Sequence, residues 1–209
     1  MRHLILLRHG QSQINAAQQT QSIFCGQLDT PLTDFGRQQA CSAGRYLADS
    51  NQVRISHAVS STLRRASETL SLVLPLLHPQ PCRLPNNIAF NERSLGLFEG
   101  RLEEDVLRQF PEYRDDPQLR EFRADFQQKA PGGENLTEVA ERAHAGLLKL
   151  MPDVTEDLLL VAHCQTIRCL IMALTGCPPD VAKHRSIPNA QPLILTPATT
   201  GLWQLLSPH

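Results

Sequence analysis

Short runs of consecutive apolar residues alternate along this chain with longer stretches in which apolar positions recur every three to four residues. His3-Leu4-Ile5-Leu6-Leu7-Arg8 is apolar on both alternating faces, as a strand covered on two sides must be. Residues 57–60 (His-Ala-Val-Ser) and 158–162 (Leu-Leu-Leu-Val-Ala) read the same way. Between them the pattern is helical. Thr33 can cap a helix running to about Asp49 with Ala40, Ala43, Gly44 and Leu47 along one side, and a second helix is expected from about Thr62 to Leu77. The best local signature lies at 135–151. Asn135 is a good N-cap, Glu138 stands at the third helical position, and Leu136, Val139, Ala140, Ala143, Leu147 and Leu150 form one stripe before Pro152. A further helix follows the third strand through Ile167, Leu170, Ile171 and Leu174, and residues 192–196 and 201–206 read as an edge hairpin.

Strand–helix alternation of this kind predicts an α/β three-layer sandwich, a mostly parallel central sheet flanked by helices. The stretch from Glu99 to Gly133 differs, being highly charged, dotted with aromatics and weakly helical. It is expected as a helical insertion over the C-terminal strand ends, so that residues 1–209 form a single domain carrying an insertion at about 99–133.

Composition narrows the field. With 209 residues, 41% hydrophobic, 20% charged and net charge −1, the chain is long enough for a buried core and unsuited to generic binding of nucleic acid or an anionic membrane. The apolar runs are too short to span a bilayer, and the opening lacks the apolar core and small-residue cleavage site of a secretory signal, so a cytoplasmic protein is expected. The six cysteines form no Cys-x-x-Cys pair and are expected as free thiols.

Chemistry collects at the strand ends. The first strand ends in Arg8-His9-Gly10, the second in Ser60-Ser61 with Arg64 and Arg65 just beyond, and the third in His163-Cys164. Parallel strands bring these ends to one rim, where α/β sheets bind their ligands. Any one of these signals alone is more often structural. Two histidines and two arginines on one rim of a neutral chain call for an anion, and phosphate matches the guanidinium fork best. A neutral imidazole there can attack phosphorus, arginines can neutralise the transition state, and a carboxylic acid must protonate the leaving alkoxide. No magnesium-binding carboxylate cluster accompanies the strand ends, so arginines would stand in place of a metal. The remaining histidines (His3, His57, His78, His144, His184 and His209) read as structural or surface residues, with a minor site role left open for His184.

Leu7-Arg8-His9-Gly10-Gln11-Ser12-Gln13-Ile14-Asn15 resembles the opening signature of the histidine phosphatase superfamily, in its phosphoglycerate-mutase-like branch. The likeness continues in order through Gly26–Thr33, Ser60–Thr69, Asn91-Glu92-Arg93, Pro131-Gly132-Gly133-Glu134-Asn135 and Val161-Ala162-His163. It implies His9 as the phosphorylated nucleophile, with Arg8, Asn15, Arg65 and His163 as the phosphate pocket and Glu92 as proton donor and then base for water. Arg64 is expected at the surface, whereas Arg93 would orient the acid or touch substrate. Cys164 departs from the pattern, since glycine usually follows the second histidine, and its tolerance depends on the backbone angles there. No resident metal or cofactor is implied.

Among the activities in this branch, a phosphatase acting on a small phosphorylated metabolite is favoured. The insertion is acid-rich, and the chain ends at His209 soon after the last strand, where the longer mutases carry a tail that caps the site. A cofactor-dependent phosphoglycerate mutase and a low-turnover phospho-ligand-binding protein are the alternatives; a phosphoprotein substrate is less suited to the covering insertion. Length is similar to that of ribazole-phosphate phosphatases, and Ile187-Pro188-Asn189-Ala190 faintly resembles a fructose-bisphosphatase module. An exposed hairpin edge could also pair with a second copy as a homodimer.

Overall fold

The computed structural model describes residues 2–206. His209 therefore lies outside the described residues. A six-stranded sheet runs in the order β3-β2-β4-β1-β5-β6, where β1 is Leu4–Arg8, β2 Ile55–Ser60, β3 Cys82–Arg83, β4 Asp157–Ala162, β5 Pro192–Pro197 and β6 Trp203–Leu205. Contacts β3–β2, β2–β4 and β4–β1 are parallel; β5 is antiparallel to both β1 and β6. The sheet is thus mixed, with β5 alone reversed.

Successive side chains of a strand point to opposite faces, and the core divides accordingly. Leu4, Leu6, Leu158 and Leu160 pack with Leu147 of α7 (Leu136–Leu150) and with Ile167 and Leu170 of α8 (Cys164–Thr175). Ile5, Leu7, Leu159 and Val161 pack on the other face with Ala43 and Leu47 of α2 (Asp34–Asp49) and Leu70 of α3 (Arg64–Val73). The result is helix, sheet, helix. The paired register Leu6↔Leu160 and Arg8↔Ala162 brings β1 and β4 to an end at the same level, immediately before His9 and His163.

Local signals hold where their chemistry is complete. Thr33 accepts the Gly36 N–H to begin α2. Asn135 and Glu138 form both halves of the capping box on α7. The helix expected over 62–77 is shorter, because Leu63 is extended and Pro75 has no N–H to continue an α-helix. Its last turn, Leu74–Leu76, is a 3₁₀ turn.

The sequence pattern foresaw neither β3, a two-residue exposed edge, nor two short helices, α1 (Gln13–Ala17) and α9 (Pro179–His184). The insertion folds as α4 (Glu103–Gln109), α5 (Glu112–Asp115) and α6 (Pro117–Arg120), with a 3₁₀ turn at Phe122–Ala124. It carries its own aromatic cluster, in which Phe98 and Phe122 pack edge-to-face with Tyr113 and with each other, and Phe24 joins them. No helix among the described residues is long and apolar enough to cross a membrane.

Candidate active site

A pocket of about 220 Å³ opens beyond the ends of β1 and β4. Arg8, His9, Asn15, Arg65 and Glu92 line it, together with Cys164 and Gln165 from the first turn of α8. His163 lies beneath His9, ring centroids 5.0 Å apart, and is wholly buried. All six residues singled out by the sequence are therefore brought to one place.

His9 is buried at the end of β1, and its Nδ1 stands 2.7 Å from the Gly10 carbonyl. A carbonyl only accepts, so Nδ1 carries the proton and the Nε2 lone pair is left free. Burial first, then the charges of Arg65 and Arg8, hold this imidazole well below its ordinary value of 6.5; the Gly10 bond opposes them. The ring is neutral and nucleophilic near pH 7. Its main chain is fixed by Ala162 O and by the Asn189 amide, which donates to His9 O at 2.8 Å. The turn after it is tight: a Cβ on Gly10 would stand 2.2 Å from Gly36 O, and one on Gly36 2.0 Å from Gln11 O. Both positions need glycine so that the N-terminus of α2 can approach the β1 turn.

The cations come from three directions. Arg8 donates Nη1 to Ile187 O at 2.8 Å, while its buried Nε has no hydrogen-bond partner among the described residues. Arg65 enters in the first turn of α3 and is 1% exposed; its Nη1 and Nη2 reach Leu28 O and Gly26 O, and Nε reaches His163 Nδ1 at 3.3 Å. That donation makes Nδ1 of His163 an acceptor, so its Nε2–H points to Ser61 Oγ at 2.7 Å. Burial, then Arg65, His9 and Arg8, keep His163 neutral as well. Arg64, by contrast, is largely exposed and 4.0 Å from Glu68.

Glu92 approaches the N-terminus of α8. Its carboxylate accepts N–H bonds from Gln165 and Thr166, both at 3.3 Å, and from Arg93 at 3.0 Å. Asn15 Oδ1 accepts from the Ser12 hydroxyl and N–H in the α1 cap, while its Nδ2 makes one long contact of 3.4 Å to Gln18. Cys164 lies in the first helical turn, and among the described residues only Ala190 is a non-glycine residue with positive φ. Glycine is therefore not required after His163. The thiol lines the pocket, and burial, then Glu92, pushes its pKa up.

The outer wall contains two further arginines. Arg93 is buried, donates Nη1 to Phe122 O at 2.8 Å and does not bond the Glu92 carboxylate through its side chain. Arg123 stacks over Phe24 at 4.3 Å and pairs with Glu103 at 3.0 Å. The insertion's acid-rich composition is thus a poor guide to the pocket it borders: Glu104 and Asp115 are solvent-exposed, and Glu92 is the one carboxyl group among the lining residues. His184 is exposed and does not line the pocket. Among the described residues, no group of three His, Cys, Asp or Glu side chains is arranged to hold a metal ion.

Sequence reasoning missed Asn189, Gln27 and Arg142, which hold main-chain atoms around the site. Each acts from a distant segment, so no local spacing marks it.

Residues 4–207 match the histidine phosphatase superfamily (branch 1). The chain is 33% identical over 196 residues to a 2,3-bisphosphoglycerate-dependent phosphoglycerate mutase of Methylorubrum extorquens, covering 92% of this chain and 88% of that protein. Among solved structures, it superposes on the mycobacterial glucosyl-3-phosphoglycerate phosphatase complexed with VO3 at a TM-score of 0.78 and 27% identity, covering 98% and 97% of the two chains. With the alpha-ribazole phosphatase of Shigella flexneri the TM-score is 0.79 at 25% identity, covering 98% and 94%.

Proposed function

The chain belongs to the histidine phosphatase superfamily, and on that footing we propose that it is a phosphomonoesterase working on a small phosphorylated metabolite through a phosphohistidine. The observation that carries this reading is the pairing of a free His9 Nε2 with the buried guanidinium of Arg65 and the part-buried one of Arg8, neither of which has a carboxylate partner among the described residues. A phosphate dianion would supply both the missing charge and the acceptor for Arg8 Nε; leaving such a buried donor unmet costs about 1–3 kcal/mol.

In the first step His9 Nε2 attacks phosphorus as the P–O bond to the leaving group breaks. Glu92 gives its proton to the departing alkoxide, which leaves as the alcohol. Arg8 and Arg65 neutralise charge on the equatorial oxygens, and the Asn15 Nδ2 donates a hydrogen bond to them. In the second step the Glu92 carboxylate takes a proton from water, water oxygen attacks phosphorus, and the P–N pair returns to His9.

A mutase remains the second reading, because the sequence relatives carry that name and Arg93 and Arg123 border the pocket. Support for hydrolysis comes from the two phosphatases among the solved structures.

The test is release of inorganic phosphate from a panel of phosphomonoesters in excess chelator, with His9→Ala beside wild type. Turnover by wild type, retained in chelator and absent from the variant, is expected. Activity that collapses in chelator and returns with magnesium, or that survives in His9→Ala, would overturn the reading. Interconversion of phosphoglycerates primed by 2,3-bisphosphoglycerate, without net phosphate release, would establish the mutase instead.

A further inference from the structure

Arg142 of α7 lies outside the pocket lining, yet its guanidinium gathers the main chain that carries Glu92. Nη1 donates to Ala89 O at 2.8 Å and to Asn91 O at 2.9 Å; Nη2 donates to Glu92 O at 3.1 Å. The same guanidinium forms a bidentate pair with Glu134, Nε at 2.6 Å and Nη2 at 2.9 Å. Glu134 Oε2 in turn accepts the Ser94 N–H at 2.9 Å. Main-chain groups at 89, 91, 92 and 94 therefore all end on one ion pair.

The segment needs such an anchor. After the 3₁₀ turn Ile88–Phe90 the chain is unpaired with any strand, so its carbonyls rely on side chains: beside the Arg142 bonds, Thr166 Oγ1 donates to Asn91 O at 2.7 Å and Gln27 Nε2 to Glu92 O at 2.9 Å. The Glu92 carboxylate itself is held to α8 by three bonds at the long end of the range, from the Gln165 and Thr166 N–H groups at 3.3 Å and the Thr166 hydroxyl at 3.4 Å. Its position is accordingly decided by the backbone. Arg142 sits on a rigid platform: α7 has a full capping box, and its neighbours Ala143 and Leu147 are wholly buried.

We propose that Arg142 and Glu134 are positioning residues for the proton donor: the ion pair clamps the main chain on both sides of Glu92 and so sets the distance from its carboxyl to the leaving-group oxygen. This rests on the proposed phosphoryl transfer with Glu92 as acid. Lysine cannot replace the fork, because a point charge reaches neither three carbonyls nor a bidentate carboxylate together.

The experiment compares two esters with the same phosphate, p-nitrophenyl phosphate and a simple alkyl phosphate. The nitrophenolate leaves without a proton donor; the alkoxide does not. Because misplacing a catalytic group by about 1 Å costs ~100-fold, Arg142→Gln is expected to lower kcat on the alkyl ester ~100-fold while changing the aryl ester and both KM values by less than ~3-fold. Arg142→Lys should restore only part of the loss, and Arg142→Gln should add little to Glu92→Gln. Glu134→Gln keeps the arginine and the side-chain volume, and should show the same leaving-group dependence if Arg142→Gln fails to fold. Equal losses on both esters, or an undiminished loss in the Glu92→Gln background, would overturn the positioning role while leaving the phosphatase reading intact. If wild type matches His9→Ala on both esters, the phosphatase reading itself falls and the clamp's role with it.

Discussion

Two imidazoles kept neutral first by burial and then by neighbouring guanidiniums make the site sensitive to pH in a direction that can be worked out. Both His9 and His163 sit well below 6.5 in the folded chain. As pH falls below 6.5, the unfolded chain takes up protons at these rings that the folded chain refuses, so stability falls with pH until the folded-state values are reached. Thermal melts between neutral and mildly acid pH should show a shallower fall in Tm for His9→Ala than for wild type; identical slopes would contradict a buried neutral ring. Catalysis should likewise keep its nucleophile to well below pH 6.5. Glu92→Gln should slow alkyl-ester hydrolysis ~100-fold or more while largely sparing activated aryl esters, and equal losses would remove Glu92 as the acid. At Cys164 the raised thiol pKa argues for slow alkylation by iodoacetamide at neutral pH, despite its place in the pocket.

The elements position these side chains by close approach more than by regular pairing. Gly10 and Gly36 let the α2 N-terminus rest against the β1 turn, and Thr69 of α3 fastens that turn by accepting the Gly10 N–H while donating to Arg65 O. Gly36→Ala would set a methyl against backbone that cannot yield. A loss of about 1–3 kcal/mol is expected, together with a fall in kcat/KM from displacement of His9, measurable by denaturant unfolding and steady-state kinetics. Thr33→Ala removes the α2 cap together with the hydroxyl's 2.8 Å bond to Gln11 Oε1, and should cost about 1–2 kcal/mol by denaturant unfolding with a smaller effect on catalysis than Gly36→Ala. This scale also marks where local pattern is legible. Caps and apolar stripes identified α2 and α7, because a helix's period and terminal hydrogen bonds lie within its own residues. α1, β3 and α9 are too short to show a period, and their places depend on segments far away.

Across the whole molecule, charge is distributed against the average. The chain carries net charge −1, while its pocket collects Arg8, Arg65, Arg93 and Arg123 around one carboxyl group. Salt should therefore raise KM for a phosphomonoester by screening this local field; a KM independent of ionic strength would argue against electrostatic capture. The insertion's aromatic cluster is separate from the cores on the two sheet faces. Phe98→Ala, which empties its centre at about 3–5 kcal/mol of local packing, should raise hydrogen exchange through 103–124 and lower kcat/KM while leaving β1 and β4 protected. What the sequence determined by itself was the alternation of strands and helices, and the gathering of His9, Arg65 and His163 at strand ends. Both follow from periodicity and from the direction of parallel strands. Only the tertiary structure decided that Cys164 needs no glycine backbone, that an acid-rich insertion sets Arg123 at the pocket wall, and that Arg142 grips the Glu92 segment from α7. Those outcomes depend on contacts between residues far apart in the chain, and on which way each side chain faces, neither of which is encoded in local spacing.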